Sequence, residues 1–144
     1  MKAVLYEGLK KIVLTDVPAP DPLEDEVLIS VEACGLCGSD IAKIDSKQTP
    51  PVPLGHEIAG RIVKCGRLVQ GFKVNDRVIV SHHVPCLICH YCRHGQQSMC
   101  REFKQSNINP GGFAQFVCIT SRHVEHTLFK IPASVSFAQA AMTE

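Results

Sequence analysis

The sequence has 144 residues, 45% of them hydrophobic and 20% charged, and its 15 basic and 14 acidic side chains leave a formal charge of +1. That length supports a single buried core, and a balanced charge with this apolar content excludes a disordered chain, a membrane span and a phosphate-binding surface. Neither nucleic acid nor a membrane is an expected partner.

At the start of the chain, Ala3-Val4-Leu5-Tyr6 is followed at once by Glu7, too short an apolar run for a secretory signal, so a cytoplasmic location is expected. Strand-length, β-branched runs then recur at residues 3–6, 12–14, 27–31, 58–63, 77–80 and 113–119, bounded by Gly, Pro, Asp or Asn. Pro18, Pro20 and Pro22 predict a rigid connection ahead of the third run, and residues 71–76 predict a turn feeding the run at Arg77. Helical signals are few. A turn is predicted over Ser39 to Ile44, and a helix opening at Ser136, where Ser-x-x-Gln with Gln139 can form a capping box. The fold class is therefore mainly β, a barrel or sandwich. The sequence stops within the first turns of that last helix, which predicts a longer parent protein. Residues 1–144 contain no G-x-G-x-x-G, and strands do not alternate with helices, so no dinucleotide-binding sheet is expected within them.

Eight cysteines in a reducing compartment point to metal binding or core packing before disulfides. Cys86, Cys89, Cys92 and Cys100 bring four soft thiolates into one short segment, the ligand set of a closed, structural zinc site. Gly95 supplies backbone freedom where that segment must wrap. An iron–sulfur centre is the competing metal assignment; the corresponding cysteine runs are usually followed by Pro, and here Arg101 follows. Four unrelated buried cysteines would be the bland alternative. His82, His83, His90 and His94 flank the cluster and are expected to be solvated loop residues. Cys34 is expected to pack in the core even though it stands at C-x2-C spacing from Cys37.

A second constellation is spread along the chain. Cys37, His56 and Glu57 offer a thiolate, an imidazole and a carboxylate, the mixed set of a zinc that keeps one position for water or substrate. Asp40 can accept a hydrogen bond from the outer nitrogen of His56 and so fix its ring.

Gly35-Leu36-Cys37-Gly38-Ser39-Asp40, Pro53-Leu54-Gly55-His56-Glu57-Ile58-Ala59-Gly60, Gly71-Phe72-Lys73-Val74-Asn75-Asp76-Arg77-Val78, the four-cysteine segment and Gly111-Gly112-Phe113-Ala114-Gln115-Phe116 occur in this order. In that order they resemble the zinc-dependent medium-chain dehydrogenases, over the entire chain and most closely the polyol (sorbitol) and threonine subgroup. The resemblance implies a GroES-like, partly open β-barrel over residues 1–144, with a few short helices and a zinc lobe at about 86–100. It also implies a Rossmann domain beyond this chain that binds NAD or NADP, and a homodimer or homotetramer.

By the same resemblance, Cys37 and His56 match the catalytic zinc ligands, and Glu57 a carboxylate that binds the zinc or exchanges with water. Glu144 is similar to the acid that polyol and threonine dehydrogenases carry near the zinc; it marks the subgroup and is expected as a further ligand of the catalytic zinc. Ser39 would hydrogen-bond the oxygen of a secondary alcohol and begin the proton path, with Glu57 or Glu144 assisting, while hydride passes to the nicotinamide. Two departures stand out. Ala42 occupies the offset where alcohol dehydrogenases place a proton-relaying His, and Gly66-Arg67-Leu68-Val69 departs from the family's Gly-x-Gly-Val. The chain by itself is expected to be catalytically inert, because hydride transfer needs the cofactor pocket. The alternative function is a zinc-stabilised GroES-like binding or assembly module without redox chemistry.

Overall fold

The computed structural model describes residues 1–45 and 52–144. Strands β1 (Lys2–Tyr6), β2 (Ile12–Asp16), β3 (Val27–Gly35), β4 (Val52–Pro53), β5 (Glu57–Cys65), β6 (Arg77–Val80), β7 (Phe116–Ile119) and β8 (Leu128–Lys130) are accompanied by a few short helices. These are α1 (Gly38–Asp45), α2 (His90–Arg93), α3 (Arg101–Gln105), α4 (Ser121–His126) and α5 (Phe137–Ala141), with one 3₁₀ turn at Gln97–Met99. Every strand pair is antiparallel, in two sheets ordered β2-β1-β4 and β7-β3-β5-β6-β8. Neither sheet closes on itself. The larger one is joined to the smaller through the segment ahead of β7, where the Val4 N–H donates to the Phe113 carbonyl at 2.8 Å and Phe113 N–H to Leu54 at 3.2 Å. This is the partly open GroES-like barrel that the motifs imply.

Alternation of β-branched residues explains the core. Val27, Ile29, Ile58, Ile62, Val78, Val117 and Ile119 project from four neighbouring strands into one cluster and are almost fully buried. Two smaller clusters flank it, one under α5 around Ala59, Ile131, Ala140 and Ala141, and one around Tyr6, Val52 and Leu54. The single core expected from length is thus a main cluster with satellites.

The predicted strands and the two predicted helical turns are present. The Ser136 capping box forms as drawn from the sequence: the Gln139 N–H donates to Ser136 Oγ at 3.2 Å, and the Ser136 N–H to Gln139 Oε1 at 3.0 Å. Arg77 steadies the approach to that helix by donating to the carbonyls of Pro132 and Val135 at 2.9 and 2.5 Å, with its guanidinium 4.5 Å from the Phe137 ring centroid. Strands β4 and β8 and helices α2 to α4 have only two to six residues each and were not predicted. Among the described residues no helix is long and apolar enough to cross a membrane.

Candidate functional site

Cys86, Cys89, Cys92 and Cys100 converge on one point, their sulfurs all within 4.8 Å of one another. A tetrahedral zinc with Zn–S bonds of about 2.3 Å requires sulfur–sulfur edges of about 3.8 Å. The Cys86–Cys92 and Cys89–Cys92 separations are 3.9 and 3.6 Å, and all eight cysteines are free of disulfides. The chain can wrap this tightly because Leu87 and Gly95 adopt left-handed conformations, with φ of 62° and 73°. Backbone amides point at the sulfurs: Cys86 N–H donates to Cys100 Sγ at 3.4 Å and Cys89 N–H to Cys86 Sγ at 3.3 Å. Amides of Cys86 and Phe103 hold the Cys100 thiol well below its usual pKa, while burial and then the neighbouring thiols push Cys92 up. Four sulfurs this close repel one another once deprotonated unless a cation neutralises them, which is the chemistry of a metal site. The base of the lobe is tied to the barrel by Val84 N–H to Ser106 Oγ at 2.9 Å and by Arg122 to the Pro85 carbonyl at 2.8 Å.

The second cluster is assembled across the barrel. Cys37 precedes α1, His56 ends the segment leading into β5, and Glu57 opens that strand; their ligand atoms also lie within 4.8 Å of one another. Register explains how Glu57 enters. Gly35 is its partner across β3 and β5, and a Cβ at Gly35 would stand 1.9 Å from Glu57 Oε2. The missing side chain is the space the carboxylate uses. Gly55, at φ +80°, sits where a Cβ would meet the Phe113 nitrogen at 2.7 Å, so only glycine lets the chain turn into His56 here.

Asp40 is fully buried, and both its oxygens are engaged by backbone: Oδ1 accepts from Gly55 N–H at 2.9 Å and Oδ2 from Cys37 N–H at 3.2 Å. It therefore braces the two loops that carry Cys37 and His56. This differs from the sequence expectation, in which it would accept from the His56 ring. His56 Nδ1 does lie 3.5 Å from Asp40 Oδ1, but without hydrogen-bond geometry, and that nitrogen and Glu57 Oε2 are buried with no hydrogen-bond partner. The Glu57 oxygen is an orphaned buried acceptor of the kind that fits a cation. Burial first, then the neighbouring His82, hold His56 below its usual pKa, favouring the neutral imidazole that binds metal. The Ser39 hydroxyl is 3.3 Å from His56 Nε2. Cys34 stays outside the cluster; it is half-buried against the core, and burial pushes its thiol up to about 12, an inert packing cysteine.

Glu144 is not gathered with these three ligands. All of its hydrogen bonds fall on Oε1, from Ser81 Oγ at 2.9 Å, His82 N–H at 3.0 Å and His82 Nδ1 at 2.5 Å. Burial would raise its pKa, but these contacts with His82 and Ser81 outweigh it and the net direction is down, so the group is a carboxylate. The His82 ring in turn lies 4.4 Å from the His56 ring.

Residues 23–133 match the alcohol dehydrogenase GroES-like domain. The chain belongs to the zinc-type alcohol dehydrogenase family. It is 36% identical over 152 residues to the sorbitol dehydrogenase of Bacillus subtilis, covering 100% of this chain and 42% of that protein. It is 36% identical over 130 residues to the L-threonine 3-dehydrogenase of Salmonella gallinarum, covering 85% of this chain and 37% of that protein. A Sinorhizobium meliloti structure described as a zinc-binding dehydrogenase bound to NADP superposes with a TM-score of 0.82 at 32% identity, over 97% of this chain and 41% of that one. The chain thus spans less than half the length of these relatives.

Within this alcohol dehydrogenase domain, two histidines depart from the solvated role the sequence reading gave them. His82 is bonded to Glu144, and His83 donates from its ring to the Ser106 carbonyl and packs 5.0 Å from the Phe103 ring. His90 and His94 are exposed, as expected. Neither His82 nor His83 carried a sequence signal beyond standing ahead of the lobe, since the contacts that engage them come from residues 20 to 62 positions away. The departure at Gly66 leaves a closed turn, Val69 N–H donating to the Gly66 carbonyl at 3.1 Å. At the relay position, Ala42 has no titratable group; its neighbour Lys43 places Nζ 3.7 Å from Asp40.

Proposed function

We propose that this chain is the metal-carrying catalytic domain of a zinc-dependent dehydrogenase that oxidises a secondary alcohol, such as a polyol or threonine. NAD or NADP would be bound by a Rossmann domain outside residues 1–144. The observation that carries this reading is the Cys37–His56–Glu57 cluster, with two buried polar atoms lacking partners. A binding or assembly module would need the four-cysteine lobe but has no use for such a cluster.

Zinc held by Cys37, His56 and Glu57 would supply a Lewis acid that stabilises negative charge on an alcohol oxygen. Ser39, beside His56, would hydrogen-bond that oxygen and begin its proton path, passing its own hydroxyl proton to the solvent it is exposed to as it accepts the alcohol's. Asp40 keeps Cys37 and His56 at their spacing through the two backbone amides it accepts from. Glu144, ionised and fixed by Ser81 and His82, would orient a further hydroxyl or an ammonium of the substrate, which suits the polyol and threonine classes that the relatives' names describe. The lobe acts structurally, through Cys86, Cys89, Cys92 and Cys100. Without a nicotinamide pocket the chain alone would be inert, and the complete enzyme would be a homodimer or homotetramer.

Metal content tests the reading. Purified chain should hold two zinc ions when loaded, one lost on Cys37→Ser and the other on Cys89→Ser. Retention of full zinc by Cys37→Ser would sink the catalytic assignment and leave the module.

A further inference from the structure

We propose that His82 is a positioning residue that ties Glu144 to the Cys37–His56–Glu57 cluster. This rests on the metal-centre reading given above. Glu144 follows α5 and is absent from the group of converging ligand atoms. What connects the two is one imidazole. His82 donates to Glu144 Oε1 from Nδ1 at 2.5 Å and from its own backbone N–H at 3.0 Å, and its ring centroid lies 4.4 Å from that of His56, tilted by 46°.

The imidazole is itself held from behind. The His82 carbonyl accepts from His123 Nε2 at 3.0 Å, and His123 Nδ1 accepts from the Thr120 hydroxyl at 2.8 Å. With Nε2 donating to a carbonyl and Nδ1 against the Thr120 hydroxyl, the buried His123 ring is held in one orientation. The preceding residue is clamped too, Ser81 N–H donating to the Thr127 carbonyl at 3.1 Å and the Thr127 hydroxyl to the Ser81 carbonyl at 3.2 Å. Helix α4 therefore anchors residues 81–82, and these hold both the Glu144 carboxylate and the ring that packs against His56. A residue placed this way governs how firmly metal ligands are oriented, an effect ordinarily worth 10- to 100-fold in metal affinity.

Cobalt(II) loaded into the cluster, with zinc kept in the lobe, reads this geometry through its ligand-field bands and its thiolate charge-transfer band. His82→Phe keeps a flat ring and removes the Nδ1 donor; it should weaken cobalt binding by about 10-fold or more and move the ligand-field bands. His82→Asn offers a side-chain N–H in place of Nδ1 and should restore most of the affinity and the band positions. Glu144→Gln should move the bands in the wild-type background and add nothing in His82→Phe, since the two side chains act through one shared bond. Unchanged bands and affinity in His82→Phe would overturn the proposal. If that variant does not fold, unchanged bands in Glu144→Gln would overturn it equally. A wild-type chain whose cobalt spectrum is insensitive to Cys37→Ser has no metal at the cluster; that outcome removes the metal-centre reading, and the proposal with it.

Discussion

The two clusters of candidate metal ligands solve one problem, bringing donors together, by opposite routes. The four-cysteine lobe draws all its donors from residues 86–100 and holds them with local backbone, positive φ at Leu87 and Gly95 and amides aimed at sulfur. The Cys37–His56–Glu57 cluster takes its donors from separate segments and relies on the barrel: the Gly35–Glu57 register, the turn at Gly55 and the buried brace of Asp40. The lobe pairs four soft ligands of one kind and leaves no position open; the cluster mixes three kinds and does. A site meant to hold a loop together can be local. One meant to act on a substrate must sit on rigid elements whose geometry is set by the whole core.

The largest expected effect would break that comparison if it failed. Structural zinc contributes on the order of 10 kcal/mol to the folding of small thiolate sites, so removing it should unfold the lobe and spare the barrel. In Cys92→Ser, or under strong chelation, amide exchange should rise across residues 86–105 while β3 and β5 keep their protection. Simultaneous loss of protection in the two strands would show that lobe and barrel form one cooperative unit.

A smaller effect sharpens the other half. Gly35→Ala puts a methyl group where Glu57 Oε2 lies, at 1.9 Å, and the carboxylate must swing out. Metal affinity at the cluster should drop about 10-fold, with lobe zinc untouched; overpacking should lower stability by about 1–3 kcal/mol. Competition with a chelator of graded strength measures the first and urea denaturation the second. If affinity held while stability fell, Glu57 would be a structural carboxylate and not a ligand.

The same contrast governs what could be read from sequence. The lobe was legible because ligand spacing along a short segment is itself the geometry, and the Ser136–Gln139 capping box for the same reason. Cys37, His56 and Glu57 could be named from their residue types and given roles through the motifs the family shares, but nothing in their spacing says that β3 pairs with β5 in a register that sets Gly35 against Glu57. Asp40 was picked out for the right neighbourhood but the wrong bond: an oxygen that already accepts a backbone amide at 2.9 Å meets the imidazole only at 3.5 Å. His82 was read as solvated because its partners, Glu144 and His123, reach it only through the packing of α5 and α4. Strand β8 was missed because three residues carry too little periodicity, and it becomes a strand only by completing the sheet beside β6.

The smallest effect separates the acid responses of barrel and metal sites. Asp76, at the turn before β6, accepts from Lys130 Nζ on β8 at 2.8 Å and from Lys73 N–H at 3.0 Å, with its side chain only 13% exposed. The Lys130 hydrogen bond, outweighing burial, and the Lys73 amide hold the carboxyl below its ordinary 3.8. The folded state thus binds fewer protons than the unfolded chain, so the contribution is fully present above pH 3.8 and is lost as pH falls through the lowered folded value. Because Lys130 is half exposed, solvent screening keeps the pair's worth to about 0.5 kcal/mol. The wild type should therefore exceed Asp76→Asn in urea stability by that amount near pH 5, and the difference should shrink on acidification below pH 3.8. Thiolate and imidazole ligands take up protons at higher pH and do so in both proteins, so their loss of metal cancels in the difference. A gap that closed together with zinc release would instead link the β6–β8 edge to the metal sites, and the division between a locally built lobe and a barrel-built cluster would have to be redrawn.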